Sequence, residues 1–144
     1  MNTPVVLITG ALTGIGRAAA VAFAKKGAKV VVAGRRDEAG KALEAELRRL
    51  GAEAAFIQAD VRRDDEVSDL VDETVARFGR LDVAVNNAAT EGQIGLITDQ
   101  TAESFAATFE TNVLGVVLST LAVGGKLAQF PGGPLPNQNL VKVG

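Results

Sequence analysis

Four residue types are absent from the sequence: histidine, cysteine, tryptophan and tyrosine. The absence of cysteine excludes disulfides, thiol nucleophiles and thiolate metal sites. The absence of histidine excludes a Ser-His-Asp triad and histidine-ligated zinc or iron, and we predict no metal site. The absence of tyrosine removes the phenol as a general acid. Any catalysis therefore has to use hydroxyl, amide, cationic or carboxylate side chains, or a bound cofactor.

An excess of charge of one sign is also lacking, because the formal net charge is −2 over 144 residues. This near balance gives no field that would gather nucleic acid or an anionic membrane surface, so neither is expected as a partner. No run approaches the roughly 20 apolar residues of a membrane-spanning helix. With 47% hydrophobic and 22% charged residues, the composition is typical of a globular protein, and we expect a cytoplasmic location.

The composition of the chain changes near residue 120. Residues 1–110 hold thirteen basic and seventeen acidic side chains, whereas residues 111–144 hold only Lys126 and Lys142. Three of the four prolines and six of the sixteen glycines also fall in residues 111–144. Dense proline and glycine predict turn or coil. We therefore predict a globular region over residues 1–119 and a Gly/Pro-rich tail over residues 120–144.

Within residues 1–119, predicted strands and helices alternate along the chain. Apolar runs without polar alternation predict strands that are buried on both faces; they cover residues 5–8, 29–33, 53–59 and 81–85. Apolar residues at helical spacing predict the helices; they cover residues 15–26, 37–50, 64–78 and 101–119. Short connections and right-handed crossovers then indicate an α/β fold with a Rossmann-like, doubly wound parallel sheet of about four strands. Such sheets bind ligands at the carboxyl ends of their strands.

A glycine-rich turn follows the first predicted strand. Residues 9–16 read Thr-Gly-Ala-Leu-Thr-Gly-Ile-Gly, a Gly-x-x-x-Gly-x-Gly spacing, and a predicted helix comes next. Glycines here let the chain reverse, let backbone N–H groups approach a pyrophosphate, and let the helix pack closely on the strand. The alternative is a glycine-rich turn that binds no ligand. The strand before it and the helix after it favour phosphate binding.

Four motifs in this order resemble those of the short-chain dehydrogenase/reductase family. Residues 9–16 look like its cofactor fingerprint, and residues 60–61 (Asp-Val) are similar to its adenine-contacting pair. Residues 86–89 (Asn-Asn-Ala-Ala) resemble its Asn-Asn-Ala-Gly, and residues 111–113 (Thr-Asn-Val) match the segment that carries its catalytic asparagine. The resemblance implies a Rossmann-type cofactor-binding fold, of which four strands would be an incomplete version.

The resemblance implies a role for each matching residue. Asp60 would accept a hydrogen bond from the adenine amino group, beside the backbone of Val61, and Asn112 would hold a water molecule in a proton relay. Asn87 and Ala88 would lie along the nicotinamide ribose. Asp60 has an alternative interpretation as a residue that stabilises a helix start. The residues that would cradle the pyrophosphate and ribose are Gly10, Thr13, Gly14, Ile15 and Gly16.

The residues after the second predicted strand determine the preference for NAD or NADP. A carboxylate there would bond the ribose 2′-hydroxyl of NAD, whereas an arginine accommodates the 2′-phosphate of NADP. Here Gly34 is followed by Arg35 and Arg36, and a guanidinium can bind phosphate in a bidentate manner. NADP is therefore favoured over NAD, with Arg35 as a cofactor-binding residue. The alternative is that these arginines are solvated loop charges.

The resemblance does not extend to the family's proton-transfer residues. In the family, a fifth strand ends in a catalytic serine, and the next helix carries Tyr-x-x-x-Lys with the tyrosine as general acid/base. This sequence has no tyrosine, and its last serine, Ser119, falls in the predicted helix of Asn112. Loss of a positioned proton donor costs roughly 10²–10⁴-fold in rate. We therefore expect a truncated or frame-altered member that binds cofactor without catalysing hydride transfer to a small carbonyl or from an alcohol.

Three functional interpretations stay open. The first is an NADP-dependent oxidoreductase by resemblance, inactive in this chain, and the second is a non-catalytic nucleotide-binding module. The third is an interaction domain whose final helix, residues 101–119, pairs with another subunit. Residues 141–143 (Val-Lys-Val) are too short to predict as the missing fifth strand. Without that strand, residues 81–85 would form an unprotected apolar sheet edge, so we expect a homo-oligomer or marginal stability.

Overall fold

The computed structural model describes residues 3–127 and 140–142, with side chains for residues 3–126. Strands and helices alternate as predicted. The elements in chain order are β1 Val5–Thr9, α1 Gly14–Lys25, β2 Lys29–Gly34, α2 Asp37–Arg49, β3 Ala54–Gln58, α3 Asp64–Phe78, β4 Val83–Asn86, a short 3₁₀ helix Ile97–Asp99, α4 Ala102–Phe109, a π-helical turn Glu110–Leu114, α5 Gly115–Leu127 and β5 Leu140–Lys142.

The strands form one parallel sheet in the order β3-β2-β1-β4-β5. The central strand, β1, pairs with β2 on one side, where Val5 lies opposite Lys29, and with β4 on the other, where Val6 lies opposite Val83. The chain therefore moves outward from β1 in one direction and then resumes on its other side. That reversal confirms the predicted Rossmann-like, doubly wound sheet, and its switch point lies between β1 and β4.

A fifth strand is present, so the prediction of an unprotected edge at β4 is wrong. Strand β5 runs parallel to β4, with Ala84 opposite Leu140 and Asn86 opposite Lys142. The physical reason is that the backbone N–H and C=O groups of β4 need partners. Three residues suffice to supply them, although a run of that length gives no periodic pattern in the sequence.

The apolar core lies on both faces of this sheet, because successive side chains of a strand point to opposite faces. Ile8 of β1 is fully buried in a cluster with Ala20 of α1 and Leu47 of α2. Leu7, its neighbour in the chain, belongs to a second cluster with Leu70 of α3. Helices therefore cover the central strands on both sides, and the carboxyl ends of the strands are left as the place where a ligand can approach.

The outer edge of β3 is covered by two side chains of α2. The Glu44 carboxylate accepts a hydrogen bond from the Phe56 N–H at 2.7 Å, and Arg48 Nε donates to the Ala54 C=O at 3.0 Å. The two side chains also form an ion pair with each other, at 2.7 Å. Unpaired edge groups are templates for pairing with another chain. This i, i+4 pair occupies one donor and one acceptor of that edge.

The last helical segment extends beyond its predicted end at residue 119. Helix α5 continues to Leu127 and passes through Gly124 and Gly125, where the composition predicted turn or coil. Its inner side is fixed by Val123, which is 2% exposed in the same core cluster as Leu70, and by a 2.6 Å ion pair of Lys126 with Asp72. Tertiary packing of this kind overrides weak local helix propensity.

By length and composition alone, the helix Ala102–Lys126 could cross a membrane. The expectation that no stretch approaches this length is therefore wrong, because small and uncharged polar residues keep the segment apolar without an unbroken apolar run. The same test is also passed by core helices. In this helix 17% of the apolar 18-residue window is buried inside the fold, and Val123 is one residue of the helix that packs into the core.

Candidate functional site

A cavity of about 680 Å³ lies at the carboxyl ends of β1, β2, β3 and β4. Its volume is within the range of small-molecule sites, roughly 300–1,000 Å³, and its position is the one at which doubly wound sheets bind ligands. The lining residues end or follow the four strands or belong to α4 and the π-helical turn: Gly10, Leu12, Thr13, Gly14, Ile15, Ala33, Gly34, Arg35, Arg36, Ala59, Asp60, Val61, Arg62, Asn87, Ala88, Ala89, Thr90, Glu91, Ala107 and Thr111.

The cavity brings together nine of the eleven residues that the sequence predicts for the site. The two others do not line it but lie next to residues that do: Gly16 packs against Gly10, and Asn112 is hydrogen-bonded to the Thr90 backbone. The structure adds residues to which the sequence assigned no role in the site, above all Arg62 and Thr111, the latter within the matching segment of residues 111–113. A sequence signal exists for Arg62, since it follows the carboxylate of Asp60 by two residues in a turn.

The glycine-rich turn is shaped by close packing against the segment after β4. Gly10 and Gly14 have φ values of +63° and +55°, in the left-handed region that favours glycine. A Cβ on Gly10 would lie 2.6 Å from Ala88 Cα, and a Cβ on Gly16 would lie 2.5 Å from the Gly10 oxygen. Gly14 is therefore required for its backbone conformation, Gly16 for space, and Gly10 for both.

The N-terminus of α1 opens into the cavity through Thr13, Gly14 and Ile15. The Thr13 side chain makes no capping hydrogen bond, and the first turn carries no acidic residue. The partial positive charge of the helix end is therefore not offset by a carboxylate of its own first turn. An N-terminus of this kind favours a phosphate group, because backbone N–H groups and the helix dipole both attract it.

Hydrogen bonds tie the turn after β1 to the turn after β4. The Asn87 side-chain Nδ2 donates to the Thr9 carbonyl at 3.2 Å and to the Gly10 carbonyl at 2.9 Å. The Thr9 hydroxyl accepts from the Asn87 N–H at 3.2 Å and from the Ala88 N–H at 3.3 Å, and donates to the Val85 carbonyl at 3.4 Å. Asn87 therefore has a structural function at the switch point, and its predicted place along a nicotinamide ribose stays a prediction.

Asp60 and Arg62 form a bidentate pair at the end of β3. Arg62 Nε donates to both carboxylate oxygens, at 2.9 and 3.1 Å, and its guanidinium Nη2 lies 2.5 Å from Asp60 Oδ2. The hydrogen bond from Arg62 lowers the pKa of Asp60 against the raising effect of burial, and the charge of Arg35 lowers it further. Asp60 is therefore an ionised acceptor at neutral pH, partly buried and facing the same cavity.

Asn112 lies in the π-helical turn and is bonded to the backbone after β4. Its Oδ1 accepts from the Thr90 N–H, and its Nδ2 donates to the Thr90 carbonyl, both at 2.8 Å. A π-helical turn is rare and is frequently found at functional sites. This reciprocal pair holds the cavity wall at Thr90 against the helix, and the predicted water relay of Asn112 stays a prediction.

Arg35 and Arg36 lie exposed at the rim of the cavity, after β2. Neither forms an ion pair with any residue in the described part of the chain. The Arg35 carbonyl accepts from Gln58 Nε2 at 2.8 Å, which fixes the backbone at this point. Two guanidinium groups are thus available to an anion at the β2 end of the cavity.

A model of the short chain dehydrogenase family matches residues 4–134 of the sequence. This chain belongs to the short-chain dehydrogenase family. The family membership that the four motifs predict is therefore confirmed, and the family is one of oxidoreductases. The matched range includes residues 120–134, which belong to the Gly/Pro-rich tail that we predict from the composition.

Proteins with sequences similar to this chain occur in distant organisms. The L-fucose dehydrogenase of Oryctolagus cuniculus is 44% identical over 111 residues, which are 77% of this chain and 38% of that protein. An uncharacterized oxidoreductase of Thermotoga maritima is 42% identical over 133 residues, which are 92% of this chain and 52% of that protein. The chain thus spans about 38% and 52% of the length of these two relatives.

Two solved structures share the fold. Actinorhodin polyketide ketoreductase, determined with NADPH, has a TM-score of 0.80 at 38% identity and covers 84% of this chain and 46% of its own. An alcohol dehydrogenase of the archaeon Thermococcus sibiricus, complexed with 5-hydroxy-NADP, has a TM-score of 0.83 at 30% identity. It covers 89% of this chain and 55% of its own.

Proposed function

We propose that this chain binds a nicotinamide dinucleotide in the cavity at the carboxyl ends of β1 to β4, and NADP(H) in preference to NAD(H). One observation carries the proposal: the N-terminus of α1, the carboxylate of Asp60 and the guanidinium of Arg35 line the same cavity. A dinucleotide needs these three groups, since it has a pyrophosphate, an adenine amino group and, in NADP, a 2′-phosphate.

The preference for NADP rests on charge. The end of β2 is Gly34, so no carboxylate is placed there to bond a ribose 2′-hydroxyl or to repel a phosphate. Arg35 and Arg36 follow, and hydrogen bonds from charged groups to phosphate are about twice as strong as neutral ones. The NADPH of the ketoreductase structure and the 5-hydroxy-NADP of the alcohol dehydrogenase structure support this choice.

We further propose that these 144 residues retain cofactor binding but not catalysis. The nicotinamide, when bound, supplies a hydride-transfer centre for a carbonyl or alcohol substrate. The sequence has no tyrosine to move the accompanying proton, and Ser119 is buried in α5, outside the cavity lining. The chain's own residues would therefore bind and orient the dinucleotide. A cytoplasmic location stays a prediction.

An arginine variant tests the proposed site and its cofactor preference. In Arg35→Ala, we expect the affinity for NADPH to fall about 10- to 100-fold, because hydrogen bonds to charged groups are worth about 1.5–3 kcal/mol, and the affinity for NADH to stay the same. The measurement is a titration that follows nicotinamide fluorescence. The control is Arg49→Ala, an exposed arginine of α2 outside the cavity lining.

Two results would contradict this proposal. If the wild-type chain binds neither NADPH nor NADH, the site has another function. If the purified chain oxidises NADPH with a panel of carbonyl compounds, its residues are sufficient for catalysis and the second half of the proposal is wrong.

A second candidate function is pairing with another copy of the chain through the last helical segment. Every fourth residue there is apolar and exposed, with exposed fractions between 47% and 66%: Phe105, Phe109, Val113, Val117 and Leu121. Successive members of this series are neighbours on the helix surface, and the row runs for about 24 Å. The rings of the first two are stacked at 4.3 Å. The segment therefore presents a row of exposed apolar side chains that a second copy of the chain could cover.

Sedimentation velocity measures whether two copies of the chain associate through these side chains. We expect the wild-type chain to dimerise with increasing concentration. Phe105→Lys together with Val117→Lys is expected to make the chain monomeric, because dimerisation would bury the new lysine ammonium groups in the interface. NADPH binding should not weaken in this double variant. Leu50→Lys, at an apolar residue 42% exposed elsewhere on the surface, serves as the control. A wild-type chain that stays monomeric at all concentrations would argue against pairing.

A further inference from the structure

Helix α5 begins unusually close to the residue that follows Asp60. A Cβ on Gly115 would lie 2.8 Å from Val61 Cγ2, 3.1 Å from Val61 Cβ and 3.4 Å from the Val61 oxygen. The backbone of Gly115 has ordinary helical angles, with φ −56° and ψ −38°. Glycine is therefore required at this position for space and not for conformation, and any larger residue has to displace Val61.

Val61 is not free to move independently of Asp60. It is 8% exposed and lines the cavity beside that carboxylate. Hydrogen bonds close the turn around it: the Arg62 N–H donates to Asp60 Oδ1 and the Arg63 N–H donates to the Asp60 carbonyl, both at 3.0 Å. The Asp60 N–H donates to Glu66 at 2.8 Å. A displacement of Val61 is therefore transmitted to the Asp60 carboxylate.

Helix α5 is also unable to move away from Val61. The reciprocal 2.8 Å hydrogen bonds between Asn112 and the Thr90 backbone hold the π-helical turn three residues before Gly115. At the other end of α5, Val123 is buried in the core and Lys126 pairs with Asp72. With both ends fixed, an added Cβ at position 115 moves the turn after β3.

We propose that Gly115 is a positioning residue for the adenine end of the site. The lack of a side chain lets α5 support Val61 at close range, and through Val61 it places the Asp60 carboxylate where it accepts a hydrogen bond from the exocyclic amino group of the base. This inference rests on the proposed binding of a nicotinamide dinucleotide. It assigns the base preference of the site to a helix residue that does not line the cavity.

The test compares NADPH with its hypoxanthine analogue, which has an oxo group in place of the adenine amino group. The wild-type chain is expected to prefer NADPH, because the Asp60 carboxylate accepts hydrogen bonds and repels an oxo group. In Gly115→Ala, the affinity for NADPH falls about tenfold or more, and the preference over the analogue is lost. In Gly124→Ala both affinities stay unchanged, since a Cβ there meets nothing within 4 Å in the same helix.

A double variant keeps the test decisive if Gly115→Ala does not fold. Val61→Ala removes Cγ2, the atom that the new Cβ would approach most closely, and leaves the 3.1 Å contact with Cβ, which a shift of a few tenths of an ångström relieves. Val61→Ala combined with Gly115→Ala is therefore expected to fold and to regain the base preference. Failure to regain it would overturn the inference. So would a Gly115→Ala chain that keeps the wild-type ratio of affinities, whether both are unchanged or both are weaker. Absence of NADPH binding in the wild type would instead overturn the proposed function itself.

Discussion

Replacement of Gly16 by alanine is expected to abolish dinucleotide binding and to lower the free energy of unfolding by about 2–4 kcal/mol. The new Cβ would lie 2.5 Å from the Gly10 oxygen, 3.0 Å from Ala11 Cα and closer still to Asn87 Nδ2. None of these atoms can yield at low cost. Two belong to the backbone of the turn after β1, and the amide is bonded to the Gly10 carbonyl at 2.9 Å. The turn therefore has to open, and the N-terminus of α1 moves with it.

Gly14→Ala is the matched control for this effect. Gly14 lies in the same turn and has a φ of +55°, but a Cβ there meets no atom within 4 Å. Its replacement costs about 1–2 kcal/mol of backbone strain and leaves the packing between the two turns intact. We therefore expect reduced but measurable binding of NADPH. Nicotinamide fluorescence is a clean measurement here, since the chain has no tryptophan or tyrosine, and urea denaturation followed by circular dichroism gives the stabilities. Equal losses in the two variants would mean that crowding at Gly16 is not what shapes the turn.

The sequence predicts the half of the fold that depends on local patterns. Predominantly apolar runs predict β1, β2 and β4 to within two residues at each end, since a strand buried on both faces shows no polar alternation. The position of the cavity follows from the same pattern, because residues after parallel strands meet at one sheet edge. The glycine spacing then placed Gly10 and Gly14 where the structure has positive φ values.

The features that the sequence does not predict depend on contacts between distant residues. Strand β5 exists because it pairs with β4, and α5 continues through Gly124 and Gly125 because Val123 packs into the core. A local pattern carries neither contact. The hydrogen bonds of Asn112 are a third case. Its motif indicates an important residue, but only the structure shows that its side chain is bonded to the Thr90 backbone, 22 residues away.

The hydroxyl of Thr9 is expected to contribute both to the stability of the chain and to its affinity for NADPH. It is 3% exposed at the end of β1, on the switch point of the sheet, and it accepts hydrogen bonds from the Asn87 and Ala88 N–H groups. Thr9→Val keeps the shape of the side chain and removes the acceptor. The Asn87 N–H keeps a second acceptor in the Val85 carbonyl, at 3.1 Å, whereas the Ala88 N–H loses the acceptor that the hydroxyl gives it. We expect the free energy of unfolding to fall by about 1–3 kcal/mol.

Thr9→Ser separates the hydrogen bonds of the hydroxyl from the packing of the methyl group. Serine keeps the acceptor and loses one methyl group, which costs about 0.8 kcal/mol, so its stability and NADPH affinity should both lie close to those of the wild type. In Thr9→Val we expect NADPH affinity to fall about tenfold as well, because the segment after β4 is held to the turn after β1 by this hydroxyl and by the Asn87 amide, and the amide alone leaves Ala88 free to shift. If serine proves as damaging as valine, the methyl group and not the hydroxyl joins the two turns. If valine lowers stability without weakening NADPH binding, the position of Ala88 has no part in holding the dinucleotide, and the binding surface lies nearer to α1 and β3 than the cavity lining indicates.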